Sequence, residues 1–141
     1  MTEILDGIKI VGGTGDFGTL TGGTEEIVKA SSGALSGKDL RGAIITNYGQ
    51  GAANNLQALP AAAKGMSFVA VCGTAQGAHY FRFQADTSDK IYLDGAAGSD
   101  NGYVEIAAPV VGGMIVFMTF QTGAATFDWI AVTIAETWIA G

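Results

Sequence analysis

"MIVFMTFQTGAATFDWIAVTI", residues Met114 to Ile134, is the stretch whose reading decides the fold. In its first half Met114, Val116, Met118 and Phe120 fall on one side of an extended chain, and Ile115 and Phe117 on the other. In its second half Trp129 and Ala131 oppose Ile130, Val132 and Ile134. Gln121, Thr122 and Gly123 punctuate the middle as a turn. Apolar runs of this length broken by turn residues read as β-strands. A strand that is apolar on both faces is buried on both faces. "MSFVAVC", Met66 to Cys72, repeats the pattern: Met66, Phe68, Ala70 and Cys72 share one side, and Val69 and Val71 line the other. Something must therefore cover the second face, either a long loop or another subunit.

The same pattern runs outward from there. Strands are expected at Ile8–Val11, Glu26–Ala30, Ala43–Asn47, Met66–Cys72, His79–Gln84, Lys90–Leu93, Tyr103–Ile106, Met114–Phe120 and Phe127–Ile134, with a further one near Trp138. Turn signals every 8–12 residues or so favour a sandwich or barrel over βαβ units. Helix is scarce. "TEEIVKASSG" offers a cap at Thr24 but runs into two serines and a glycine, and "LPAAAKG" allows one turn after Pro60. The uncharged window from Ile106 to Phe127 is long enough to cross a bilayer. Pro109, Gly112, Gly113 and Gly123 break it into strands and turns, so no membrane span is expected.

Composition points the same way as the two-faced strands. Charged residues make up 14% of the 141-residue chain, against about 25% in an ordinary soluble domain. Glycine supplies 22 positions, roughly twice the usual share of about 7%. A dispersed monomer relies on surface charge, so a chain this poor in it is expected to cover surface with other subunits. The net charge of −6, with seven scattered Lys and Arg, argues against nucleic acid and against an anionic membrane. A single cysteine, Cys72, excludes an intramolecular disulfide. The opening "MTEILDGIKI" has acids where a secretory signal carries basic residues, so none is expected.

Gly13-Thr14-Gly15-Asp16-Phe17-Gly18 matches the letters of a dinucleotide fingerprint. That chemistry needs a helix after the glycines, whose N-terminus holds the pyrophosphate. Gly22 and Gly23 would sit in its first turns at about 1 kcal/mol each, and "ALSGKDLRG" around Asp39 is no second parallel strand. Six glycines in the twelve residues 12–23 read instead as an extended arm, with Phe17 and Leu20 as its docking groups.

The inventory for catalysis is thin. His79 is the one histidine, expected within a sheet, and Cys72 reads as a core thiol. Zinc needs more ligands than that. Asp86, Asp89, Asp94, Asp100, Asn101 and Glu105 crowd together enough to suggest calcium, or a carboxylate pair for glycoside hydrolysis, without EF-hand spacing. Asp94-Gly95 and Asn101-Gly102 are also the preferred dipeptides of tight hairpins. Tyr48, Tyr80, Tyr92, Tyr103, Trp129 and Trp138 could form a sugar platform, although core packing is the commoner use of strand aromatics. Trp138, beyond the last strong strand, is the best contact candidate among them.

From Ile44 onward the order of Leu59-Pro60, Gly65-Met66-Ser67, Ile91–Gly95 and Asp128-Trp129 resembles a β-rich module of tailed-bacteriophage structural proteins. The resemblance, with the weaker lead-in "EIVKASSGALSGKDLRG", spans about 110 residues and leaves residues 1–23 outside. It implies assembly on a phage particle and carries no catalytic residues.

The expectation is thus an all-β protein: an extended Gly-rich arm over 1–23 and one β-sandwich or jelly-roll domain over 24–141. The expected function is non-enzymatic. The chain would be a small capsid-decoration or tail-associated virion protein, assembled in the bacterial cytoplasm and needing no cofactor or metal. It would self-associate as a trimer and bind the major capsid or another virion protein. Phe17, Leu20, Met114, Val116, Met118, Phe120, Trp129 and Trp138 are the expected interface. The alternative is a receptor- or glycan-binding fibre-tip module.

Overall fold

The computed structural model describes residues 24–141. The strand expected at Ile8–Val11, the glycine motif, and Phe17 and Leu20 with the arm lie outside the described residues.

Among the described residues twelve short strands follow one another, with a 3₁₀ turn at Gly37–Asp39. They are β1 (Glu26–Val28), β2 (Gly33–Ala34), β3 (Arg41–Thr46), β4 (Asn55–Ala58), β5 (Ser67–Val71) and β6 (Phe81–Gln84), then β7 (Ile91–Leu93), β8 (Ala96–Ala97), β9 (Tyr103–Ile106), β10 (Met114–Gln121), β11 (Phe127–Ala135) and β12 (Ile139–Ala140). They form a seven-stranded sheet, β1-β3-β5-β10-β11-β7-β8, and a five-stranded sheet, β12-β9-β6-β4-β2. The all-β sandwich expected from the sequence is what forms.

Its wiring follows a simple rule at first. Odd strands β1, β3 and β5 lie side by side and parallel in the larger sheet. Even strands β2, β4 and β6 do the same in the smaller one. The first six strands thus wind from sheet to sheet, each return advancing one strand. β7 then lands further along the larger sheet, and the β10–β11 hairpin fills the gap between it and β5. Five of the ten pairings are parallel, which sets this sandwich apart from the antiparallel Greek keys of a jelly roll.

Local chemistry explains where the chain turns. Asp94 and Gly95 have φ of 50° and 92°, so Leu93 pairs with Ala96 across a two-residue hairpin turn. Gly73 is required for space, because a Cβ there would stand 2.6 Å from the Thr46 hydroxyl. The segment from Thr24 is strand rather than helix, since Ile27 pairs with Ile45 and joins the core. No helical turn follows Pro60.

β4 escapes a hydrophobicity-based reading because its inward side chains are polar. Asn55 and Gln57 are both fully buried. The Asn55 amide donates to the Lys29 carbonyl at 2.7 Å, and the Gln57 amide donates to the Ser31 carbonyl at 2.8 Å. They hold the β1–β2 loop in place of the contacts an apolar pair would make. β2 and β8, two residues each, are too short to show a period.

Four aromatic rings join the sheets. Phe68 of β5 stacks on Phe117 of β10 at 4.6 Å, and Phe83 of β6, from the other sheet, lies 5.2 Å and 5.1 Å from them. Trp129 meets Phe68 edge-on at 5.9 Å. Such pairs add about 0.5–1.5 kcal/mol each beyond area burial.

Candidate interaction surface

The outward side of the larger sheet is as apolar as a core. Cross-strand register places Ile44, Val69, Val116 and Val132 in one row over β3, β5, β10 and β11. A second row runs Ser67, Met118, Ile130 and Tyr92. Val71 and Met114 adjoin in a third, with Ile134 at the irregular step in the β10–β11 pairing. Met118, Val132 and Ile134 are 45%, 41% and 57% exposed. Charge appears at the margins, with Arg41 beside Ser67, Glu26 beside Ile44 and Asp128 beside Phe120. Contiguous apolar patches are the kind of surface through which proteins associate.

Of the expected interface residues, Met114, Val116 and Met118 lie on this face. Phe120 lies at its edge, with its ring 5.2 Å from that of Tyr92. Trp129 and Trp138 do not belong to it: they are 0% and 5% exposed. Trp129 has the opposite parity to Ile130 and Val132 and fills the core. Trp138 packs on Phe81 at 6.5 Å and donates its indole N–H to the Ala135 carbonyl at 3.2 Å. Its burial also removes it as a sugar platform. Val69, Ile130 and Val132 take their place, and their alternation with core residues was the signal available for finding them.

A second exposed apolar feature is the end of the sandwich built by residues 47–54, 73–80 and 107–113. These three loops carry no Asp, Glu, Lys or Arg. They are stitched together: Gly49 N–H donates to the Thr74 hydroxyl, Gln76 N–H to the Pro109 carbonyl, and Gly112 N–H to the Cys72 carbonyl. Buried Asn47 fixes them from within, accepting from the N–H groups of Gly73 and Thr74 and donating to Gln50 and the Thr74 carbonyl. Tyr48, Val110 and Val111 project from this end at 65%, 47% and 64% exposure.

The smaller sheet is different in character. On its outward side the Arg82 guanidinium lies 4.0 Å from the Tyr80 ring centre and 3.6 Å from that of Tyr103. Its Nε and Nη2 both reach one oxygen of Glu105, at 2.7 and 2.6 Å.

The acids that crowd the sequence between Asp86 and Glu105 disperse. Asp94 accepts from the Thr133 N–H and hydroxyl, and Glu105 pairs with Arg82. Asp89 and Asp100 do share a depression of about 380 Å³ with Asp128 and Lys90. There Asp89 accepts from Ala62 N–H at 2.7 Å, Asp128 accepts from Lys90 N–H at 2.9 Å, and Asp100 stands 3.5 Å from the Lys90 ammonium. Burial pushes the Asp89 carboxyl up, partly offset by the Ala62 hydrogen bond and reinforced by Asp86 and Asp128. Among the described residues no group of three His, Cys, Asp or Glu side chains is arranged to hold a metal ion, and no helix is long and apolar enough to cross a membrane. Burial pushes the Cys72 thiol up to about 12, so it is a protonated core group at neutral pH. His79 precedes β6 rather than standing within it.

Comparison with protein-family models, with curated proteins and with solved structures gave no match.

Proposed function

We propose that the protein is a non-enzymatic structural component of a phage particle, a small capsid-decoration or tail-associated subunit that associates with itself and with the virion surface. The observation that carries this reading is the apolar face of the seven-stranded sheet that no described residue covers, bearing Val116, Met118, Val132 and Ile134. Leaving it in water forgoes about 25 cal/mol per Å², and a chain with only 14% charged residues has little else to keep it dispersed. The uncharged loop end with Tyr48, Val110 and Val111 offers a second contact surface, as a subunit touching both a neighbour and a particle requires. The order of motifs from Leu59-Pro60 to Asp128-Trp129, which resembles phage structural modules, supplies the biological setting.

The test is oligomeric mass by light scattering together with copy number on purified particles. The reading expects a stable oligomer and a fixed, symmetric number of copies. A monomer with no particle association removes it.

One observation favours a second reading, a glycan-binding module. Tyr80 and Tyr103 flank the Arg82 guanidinium on the outward side of the smaller sheet, the kind of aromatic and polar surface sugars use. That reading expects glycan-array signal that disappears in Tyr80→Ala.

A further inference from the structure

We infer that the apolar face of the seven-stranded sheet pairs with the same face of a second copy about a two-fold axis, so that the assembling unit is a face-to-face dimer. The inference rests on the assembly reading above and names its first partner.

Three features of the face select this occupant. The first is charge. The rows Ile44–Val69–Val116–Val132 and Ser67–Met118–Ile130–Tyr92 contain no ionisable group apart from the Tyr92 phenol, and the second row ends at exposed Arg41 beside Ser67. A second copy presents the same rows, so closing the two together buries no unpaired charge. Arg41, Glu26 and Asp128 stay at the rim, where interfaces tolerate polar groups.

The second is area. Six strands, β1, β3, β5, β10, β11 and β7, at ~4.8 Å spacing and ~3.3 Å per residue make a surface of roughly 29 by 17 Å. Two such faces remove about 1,000 Å² from water before side-chain relief is counted, which reaches the lower bound of a specific interface.

The third is symmetry. One continuous patch that complements itself makes an isologous, two-fold contact, whereas a three-fold ring needs two different patches that fit each other. Sheets stacking this way lie about 10 Å apart with strands near −30° or near 90°. The residues more than two-fifths exposed, Met118, Val132 and Ile134, become the interlocking groups.

The experiment is sedimentation equilibrium on the full chain and on Met118→Glu and Val132→Glu. Both positions are exposed within one protomer, so neither change disturbs the core, and circular dichroism checks that the fold is kept. The expected result is a dimer for the parent and at least a hundredfold weaker association for each variant, with unchanged spectra. A third variant, Val111→Asp, alters the loop end and is expected to leave the dimer intact. A parent trimer, or a dimer that both Glu variants leave untouched, overturns the inference while the assembly reading stands. A monomeric parent overturns the inference, including the case in which another part of the chain or a different protein covers the face, and it overturns the assembly reading as well when the protein also fails to associate with particles. A dimer sensitive to both variants that does not associate with particles supports the inference and removes the virion reading.

Discussion

Arg82 and Glu105 sit opposite each other on β6 and β9, and two guanidinium nitrogens converge on a single carboxylate oxygen at 2.7 and 2.6 Å. The remaining surface of the guanidinium is taken by the faces of Tyr80 and Tyr103. Side-chain exposures of 20% and 9% leave the pair only partly wet. Charged hydrogen bonds in such settings contribute about 1.5–3 kcal/mol. Arg82→Lys is therefore expected to destabilise the fold by about 1–2 kcal/mol, because an ammonium cannot fork to the carboxylate while stacking between two rings. Urea unfolding measures it; an unchanged midpoint means the cluster adds nothing to stability.

Neighbouring residues on β10 are expected to respond in opposite ways. Phe117 is fully buried and stacked on Phe68, so Phe117→Ala should cost about 3–5 kcal/mol through lost contacts and a residual cavity. Val116 faces outward, and Val116→Thr should cost the isolated protomer about 0.5 kcal/mol or less. Denaturant titrations of the two variants at low protein concentration test the assigned parity; equal losses contradict it.

The Cys72 thiol gives a signed dependence on alkaline pH. Its folded value is raised from 9.0 to about 12 by burial, eased by a hydrogen bond from Val110 and reinforced by Glu136. The unfolded chain releases this proton first, so the contribution is whole below pH 9 and is lost as pH rises towards 12. Cys72→Ala should lose less stability over that window than the parent. A thiol reagent at pH 8 should label the native protein no faster than global unfolding permits.

Asp89 has the same sign in the acid range. Its folded carboxyl is raised by burial first, with Asp86 and Asp128 adding to the shift. A raised folded value means the native state holds this proton more tightly than the unfolded chain. Its stabilising contribution is present below the unfolded value of 3.8 and lost as pH rises through the folded one. Acidification from neutral pH should thus favour the parent relative to Asp89→Asn, which still offers an oxygen to the Ala62 N–H. Thermal midpoints of both proteins at pH 7 and pH 4 test this; a parent that loses more on acidification than the variant contradicts it.

Most strands were legible because their inward residues are apolar and their turns carry glycine or an Asx-Gly pair. Tyr103–Ile106 is expected and observed at those bounds, and β10 and β11 each run one residue past the expected C-terminal end. β4 was not legible, since Asn55 and Gln57 face inward to bond the carbonyls of Lys29 and Ser31. Such partners lie more than twenty residues away, and no local pattern points to them. The outward apolar face was half legible. Met114, Val116 and Met118 fall on the outward face as expected, while Trp129 was placed on the wrong side of β11.

The sequence alone determined that the protein is all-β, that the strands at Met66–Cys72, Met114–Phe120 and Phe127–Ile134 are apolar on both faces, and that too little charge remains to wet them. Period-two alternation and turn chemistry are local properties, so the chain carries them whatever it packs against. Which of two apolar faces becomes core was decided only by the tertiary structure. A strand offers both faces equally until its neighbours fix the register, and here the rings of Phe68, Phe83 and Phe117 meet between the sheets and draw Trp129 inward. Ile130, Val132 and Ile134 are left on the outside because adjacent residues of a strand cannot face the same way.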